Sequence, residues 1–323
     1  PSISHGPLRL DSVFLPRTMD WLGWEQEKFS PKAVWQRLLE SHLGSQEPLP
    51  RPPGQTRLTV MMGVPTMYHY LTSYLREMIT SGEQSEQTVR EVLSGLRLAV
   101  CGSSACPVPL QEEWKQMSGK FLLERYGMSE TGMVLSNPYL ETDEWSRAPG
   151  TVGKPLPSVE VEIAKEAGDG SDRGHGGAQV GELLVRGPGV MRGYFGREEE
   201  TANAFDSRGF FRTGDTASLD TASGCYSILG RTSVDILKHK GYKISALEVE
   251  NCLLRHPDIR ECAVVGVPSD ANGQDLVAVV AAEGGVAPPE EEALREWAGA
   301  ELASYQVPAT FLLVPEIDRN AMG

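Results

Sequence analysis

The chain of 323 residues is long enough for two domains with their own buried cores, and it needs no covalent staples to hold them. Thirty Lys and Arg against 44 Asp and Glu leave a net charge of −14, which excludes the broad basic face that nucleic acid or an anionic membrane requires, so an anionic ligand must be held by local positive groups. Five cysteines, at 101, 106, 225, 252 and 262, are too few and of the wrong parity for a disulfide framework. They read as buried thiols of a reducing, intracellular compartment, and neither Cys101 with Cys106 nor Cys252 with His256 supplies the paired ligands of a structural zinc site. No stretch approaches the roughly 18 to 20 apolar residues of a membrane span. The opening residues do not start with methionine and carry no charged-then-apolar leader pattern. They read as the interior of a longer gene product, with residues 1–28 unassigned.

In chain order, Ser30 to His42 opens on Ser-Pro and places Val34, Leu38 and Leu39 at helical spacing. The proline-rich run from Gln46 to Gln55 is a loop, Leu58 to Val64 a strand, and a helix follows to about Ile79. Arg97 to Gly102 is a second strand closing on Gly-Ser-Ser, followed by a helix near Pro109 to Met117 and an apolar run from Phe121 to Tyr126. This alternation of strand, glycine turn and helix is α/β construction. Beyond residue 150 the texture turns β-rich and antiparallel, with short runs at Val159 to Ile163, Gly181 to Arg186, Phe210 to Arg212 and Cys225 to Leu229. The glycine-rich tract Glu166 to Gly181 reads as a mobile loop. From Arg231 onward, helices at Ala246 to Arg255 and Pro289 to Ala303, with strands at Ala263 to Val267, Leu276 to Ala281 and Phe311 to Val314, suit a separate α+β domain.

Four glycine-punctuated segments carry the chemistry: Tyr126-Gly-Met-Ser-Glu-Thr131, Gly181-Glu-Leu-Leu-Val-Arg-Gly187, Phe211-Arg-Thr-Gly-Asp215, and Gly230-Arg231 leading to Lys240-Gly-Tyr-Lys-Ile244. Taken singly, each is no more than a turn, and a lone Thr-Gly-Asp is a β-turn. In this order and spacing they resemble the core motifs of the AMP-forming adenylating superfamily, over nearly all of the chain from about Phe29. The resemblance implies a multi-layered large adenylating domain of mixed sheets with a β-rich C-terminal layer, in residues 1–230, and a small α+β domain in residues 231–323, with a hinge near 232–235. It also implies activation of a carboxylate by ATP to an acyl-adenylate with release of pyrophosphate, and displacement of AMP by the thiol of CoA.

The residues fit what those ligands need. Tyr126 matches the family's adenine-stacking tyrosine and is followed by Gly127, which leaves room for a base to approach. Ser129 and Glu130 match the phosphate and magnesium positions, Asp215 the ribose-binding carboxylate, and Arg231 an arginine that reaches ribose and adenylate. Gly102, Ser103 and Ser104 resemble the segment lining the acyl and adenine sites, and His69 lies in a stretch matching the wall of the carboxylate pocket. Gly241 and Tyr242 match the CoA tunnel.

Arg125 speaks to substrate choice. A guanidinium beside an acyl pocket calls for an acidic partner, and a second carboxylate on the substrate is the natural one, the alternative being that Arg125 turns outward to pair with Glu124 or another surface acid. The run Leu123-Glu-Arg-Tyr-Gly-Met-Ser-Glu, with Gly63-Val-Pro-Thr-Met-Tyr and Phe210-Phe-Arg-Thr-Gly-Asp, is similar to malonyl-CoA synthetases within the superfamily, which implies malonate or a close dicarboxylate as substrate. The segment Gly230-Arg-Thr-Ser-Val-Asp-Ile-Leu-Lys238 is similar to their eukaryotic mitochondrial members, which implies a mitochondrial location. A monocarboxylate or aryl-CoA ligase, and a non-catalytic protein that keeps only nucleotide binding or subunit contacts, are the alternatives. The family's glycine- and Ser/Thr-rich phosphate loop is not found, and Arg319-Asn-Ala-Met-Gly323 stops one residue before the position of the family's lysine, with Asp318 in place of proline. The expectation is an inactive fragment of the parent enzyme.

Overall fold

The computed structural model describes residues 30–43, 58–142, 144–164, 178–282 and 289–317. The chain divides into two compact units, one of residues 1–101 with 112–123, the other of residues 102–111 with 124–323. The expected loop from Gln46 to Gln55, the segment from Arg319 to Gly323 and residues 1–28 lie outside the described residues.

In the first unit, α1 (Pro31–Leu43) begins where the Ser30 hydroxyl accepts from the Ala33 amide at 3.3 Å. β1 (Val60–Gly63) and β2 (Leu98–Cys101) pair in parallel, Val60 opposite Leu98 and Gly63 opposite Cys101, and the crossover that a parallel pair demands carries two helices. The first, α2 (Pro65–Thr80), starts on proline and buries Tyr68, Leu71, Thr72 and Leu75 at helical spacing. The second, α3 (Glu86–Ser94), is absent from the elements expected above. Ser85 caps it by accepting from the Thr88 amide at 3.0 Å, and Val89, Val92 and Leu93 supply its buried face. The Tyr68 hydroxyl donates to the Val100 carbonyl at 2.9 Å, and its ring meets Trp114 of α4 (Val108–Ser118) edge to face at 5.0 Å.

The second unit holds β3 (Leu123–Met128), β4 (Gly132–Ser136) and β5 (Lys154–Pro155), antiparallel in that order. It continues with β6 (Glu160–Ile163), β7 (Gln179–Arg186), the short α5 (Glu198–Ala204), β8 (Phe211–Asp220) and β9 (Cys225–Arg231), whose strands form an antiparallel sheet in the order β6-β7-β8-β9. Two expectations change here. The run that the pattern ends at Arg212 continues as a ten-residue strand, so Thr213-Gly214-Asp215 lies inside β8 at an irregularity: the pairing with β7 shifts between Leu184–Arg212 and Glu182–Thr216, Gly214 takes φ 70°, and its amide donates to Glu182 Oε1 at 3.2 Å. Gln179 to Gly181, assigned above to a loop, begins β7, and the rest of that tract up to residue 177 is outside the described residues. Val134, Leu135, Val152, Leu183, Val185, Ala217 and Tyr226 form the core of this part.

Beyond it come β10 (Ile236–His239), β11 (Tyr242–Ser245), α6 (Ala246–Leu253), β12 (Ile259–Ser269), β13 (Gly273–Ala282), α7 (Glu291–Glu301) and β14 (Thr310–Val314). The sheet runs β11-β10-β13-β12, with β14 parallel to β13. Its own core, including Leu237, Val249, Leu253, Leu276, Val280 and Leu294, shares no residue with the preceding one. Cys101, Cys106, Cys225 and Cys252 are buried, whereas Cys262, expected above to be buried as well, is half-buried. No helix among the described residues is long and apolar enough to cross a membrane.

Candidate active site

The antiparallel register of β8 and β9 sets Asp215 directly opposite Arg231. The Arg231 Nε lies 3.0 Å from Asp215 Oδ1, and its Nη1 donates to the Thr213 carbonyl at 2.8 Å. From β3, the Tyr126 hydroxyl donates to Asp215 Oδ2 at 2.6 Å. Both oxygens of this buried carboxylate are therefore engaged. Burial raises its pKa, and the Tyr126 hydrogen bond and the Arg231 charge oppose that rise. The Tyr126 phenol is raised above its usual value by burial and by the Asp215 charge, so it remains a neutral donor with its ring orientation fixed. Each carboxylate oxygen keeps a second lone pair, which is what an approaching diol needs.

Arg125 and Glu124 sit on opposite faces of β3, as strand alternation requires. Glu124 is buried, accepting from the Cys106 amide at 2.9 Å and from Gln111 Nε2 at 3.1 Å, and burial pushes its pKa up to about 7. The outward pair of Arg125 with Glu124 does not form. Arg125 is half-buried, its Nε has no hydrogen-bond partner among the described residues, and desolvation lowers its pKa from the usual arginine value. Gly102 lies against it, since a Cβ there would stand 3.5 Å from the Arg125 carbonyl oxygen. Ser103 takes the left-handed region at φ 71°, and both Ser103 and Ser104 are exposed.

Gly127 has a different structural reason from the one its place in the motif suggests: a Cβ would meet the Gly132 carbonyl oxygen at 2.2 Å, so the β3–β4 hairpin itself requires glycine. In the turn of that hairpin Ser129 is exposed, and the Glu130 carbonyl accepts from the Met191 amide at 2.7 Å. The Tyr194 hydroxyl donates to Glu130 Oε1 at 3.3 Å. Among the described residues no group of three or more His, Cys, Asp or Glu can hold a metal ion unaided. A lone half-exposed carboxylate fits a magnesium ion whose other ligands are nucleotide phosphates and water.

His69 belongs to the first unit, on α2, beside the Tyr70 ring at 5.9 Å. Lys240 and Gly241, both at positive φ, make the two-residue turn between β10 and β11, and Tyr242 stacks on Tyr305 at 4.1 Å with the rings 10° from parallel. Among the described residues, the bonds that join Tyr126, Asp215 and Arg231 do not extend to this pair. Glu124, Thr213 and Tyr194 were not singled out from the sequence. Strand alternation beside Arg125 was a usable signal for Glu124, whereas the Tyr194 contact spans 64 residues and left none.

The model of the AMP-binding enzyme family matches residues 54–195, and that of the AMP-binding enzyme C-terminal domain matches residues 248–323. The chain belongs to the AMP-binding enzyme family. Within that family it is 45% identical over 311 residues to the mouse protein named malonate–CoA ligase ACSF3, mitochondrial, covering 92% of this chain and 50% of that protein. It is 37% identical to a malonate–CoA ligase of Arabidopsis thaliana, over 92% of this chain and 47% of the other. The crystal structure of ATP-bound MatB from Rhodopseudomonas palustris superposes with a TM-score of 0.73 at 33% identity, covering 92% of this chain and 51% of that one. The chain spans about half the length of these relatives.

Proposed function

We propose that this chain forms the adenylate-binding part of an AMP-forming malonate–CoA ligase, acting on malonate or a close dicarboxylate such as methylmalonate. The observation that carries the reading is the half-buried Arg125, whose Nε has no partner among the described residues, one residue from the Tyr126–Asp215–Arg231 cluster. A guanidinium in that position matches a substrate carboxylate, which it binds as a planar fork. Relatives named malonate–CoA ligase support the same substrate.

Malonate's distal carboxylate pairs with Arg125. Its other carboxylate attacks the α-phosphorus of ATP, the bond to the β-phosphate oxygen breaks, and pyrophosphate leaves. Tyr126 offers its ring to adenine, Asp215 accepts the ribose hydroxyls, and Arg231 holds Asp215 and faces the adenylate. Gly102, Ser103 and Ser104 line the acyl and adenine side, and His69 is assigned to the carboxylate wall. Ser129 and Glu130 meet the polyphosphate, Glu130 holding magnesium, which when bound neutralises phosphate charge. The CoA thiol, entering past Gly241 and Tyr242, then attacks the acyl carbon and expels AMP.

The domain boundary falls at Arg231, with residues 232–235 as hinge. Support comes from the separate cores on either side and from the turn in which the Val234 and Asp235 amides both donate to the Arg231 carbonyl. The name of the mouse relative, a mitochondrial protein, supports a mitochondrial site of action. The decisive measurement is carboxylate-dependent pyrophosphate release by the whole ligase of which this chain would form the adenylate-binding part, carrying Arg125→Leu. Loss of malonate turnover with retention of propionate turnover is expected. An unchanged preference for malonate removes the substrate assignment.

A further inference from the structure

Residues 187–197 form a loop stapled to the turn that carries Glu130. The Met191 amide donates to the Glu130 carbonyl at 2.7 Å, and Gly189 packs so close that a Cβ would stand 2.9 Å from the Thr131 carbonyl oxygen. Val190 packs against the core formed by β4 and β7 to β9. On the far side of the loop, the Thr201 hydroxyl accepts from the Tyr194 amide at 2.9 Å and donates to the Arg197 carbonyl at 2.6 Å. Gly193 is crowded against the Thr201 side chain, where a Cβ would meet its Cγ2 at 2.6 Å. The backbone of Tyr194 is thus held from both ends. Its hydroxyl then has a defined direction, and that direction ends on Glu130 Oε1 at 3.3 Å.

We propose that Tyr194 is a positioning residue for the Glu130 carboxylate: by donating to one oxygen it leaves the other turned toward the polyphosphate side to receive the divalent cation. The inference rests on the reading of Glu130 as the magnesium carboxylate. A carboxylate on a short exposed turn samples several rotamers, and one hydrogen bond from an anchored donor removes most of that freedom before the cation arrives. Partners of this kind that orient a metal ligand typically matter by about ten- to a hundredfold in metal affinity. Burial and the Glu130 charge raise the Tyr194 phenol above its usual value, with Arg231 opposing, so the group stays a donor near neutral pH. The Tyr194 ring is exposed, so removal of the phenol oxygen alone disturbs no buried packing.

The test uses Tyr194→Phe and Glu130→Gln in the protein, with Mn2+ as a paramagnetic probe titrated against the ATP-loaded protein by water-proton relaxation. The metal dependence of malonate-driven pyrophosphate release is measured in parallel. Tyr194→Phe is expected to weaken Mn2+ binding and raise the half-saturating metal concentration by about tenfold, with the malonate KM and melting temperature unchanged. If Glu130→Gln shifts the metal dependence and Tyr194→Phe does not, the positioning role is overturned while Glu130 keeps its assignment. If Glu130→Gln leaves the metal dependence unchanged, the reading of Glu130 fails and the role of Tyr194 falls with it. A shift of malonate KM or melting temperature in Tyr194→Phe equal to the shift in metal affinity marks a structural residue and also overturns the proposal.

Discussion

At the corner where β8 meets β9, every charge has its partner inside the protein: Arg231 and Tyr126 take one oxygen each of Asp215, and Thr213 accepts the remaining guanidinium contact. One residue before Tyr126 on the same strand, Arg125 is half-buried with its Nε unpartnered among the described residues. On the opposite face, Glu124 is buried and accepts from two neutral donors, the Cys106 amide and Gln111 Nε2. The first arrangement is complete within the protein, which suits the ribose site proposed for it. The second has a donor without an acceptor among the described residues, which suits the acid-selecting role proposed for it. Glu124 serves neither purpose directly; it ties the segment ending at Cys106 to β3.

The largest effect expected from breaking this contrast is at Arg125. Arg125→Leu should lower kcat/KM for malonate by at least about a hundredfold while leaving that for propionate within a few-fold, since a lost charged hydrogen-bonding partner outweighs a change in apolar contact. Arg125→Lys sharpens the point. It restores charge without the planar fork, so initial-rate measurements should place it between the wild type and the leucine variant.

Glu124 should reveal itself through pH. Its folded pKa of about 7 stands above the ordinary 4.5, so its contribution to stability is fully present below about pH 4.5 and is lost as pH rises through about 7. Glu124→Gln carries no charge, so chemical denaturation should find the variant gaining on the wild type between those values, by on the order of 3 kcal/mol at pH 8. A parallel pair of stability curves would show that the two donors hold Glu124 ionised despite its burial.

At the complete corner the expected loss is smaller. Tyr126→Phe removes one hydrogen bond to a charged acceptor while Arg231 remains, so stability at pH 7 should fall by about 1.5 kcal/mol. AMP binding measured by calorimetry should weaken because Asp215 is no longer held at both oxygens. Undiminished AMP affinity would mean that Arg231 alone orients the carboxylate. The smallest effect is expected at the turn after this corner, where Val234→Pro removes the amide that donates to the Arg231 carbonyl. Single-turnover measurements should then find adenylate formation and thioester formation slowed unequally, and equal slowing would remove the hinge assignment.

Much of the architecture was legible from local pattern: α2, α4, α6 and α7 carry apolar residues at helical spacing, and the antiparallel texture after residue 150 follows from short runs between glycines. α3 went unread although its signal was present, Ser85 as cap followed by Val89, Val92 and Leu93. The polar composition around those residues masked it. Tyr126, Asp215, Arg231 and Arg125 were named through the resemblance that the order of the motifs carries, since residue types taken singly left each segment as a turn. What the sequence did not contain was their pairing. Tyr126 and Asp215 are 89 positions apart, and the ion pair of Asp215 with Arg231 depends on the register of β8 against β9, which a one-residue slip would abolish. The irregularity that carries Thr213-Gly214-Asp215 inside β8 likewise depends on long-range contacts, the Thr213 hydroxyl donating to the Leu183 carbonyl and the Gly214 amide to the Glu182 carboxylate across β7. Local spacing determined which groups the protein has; long-range register and burial decided which of them are already satisfied and which still require a ligand.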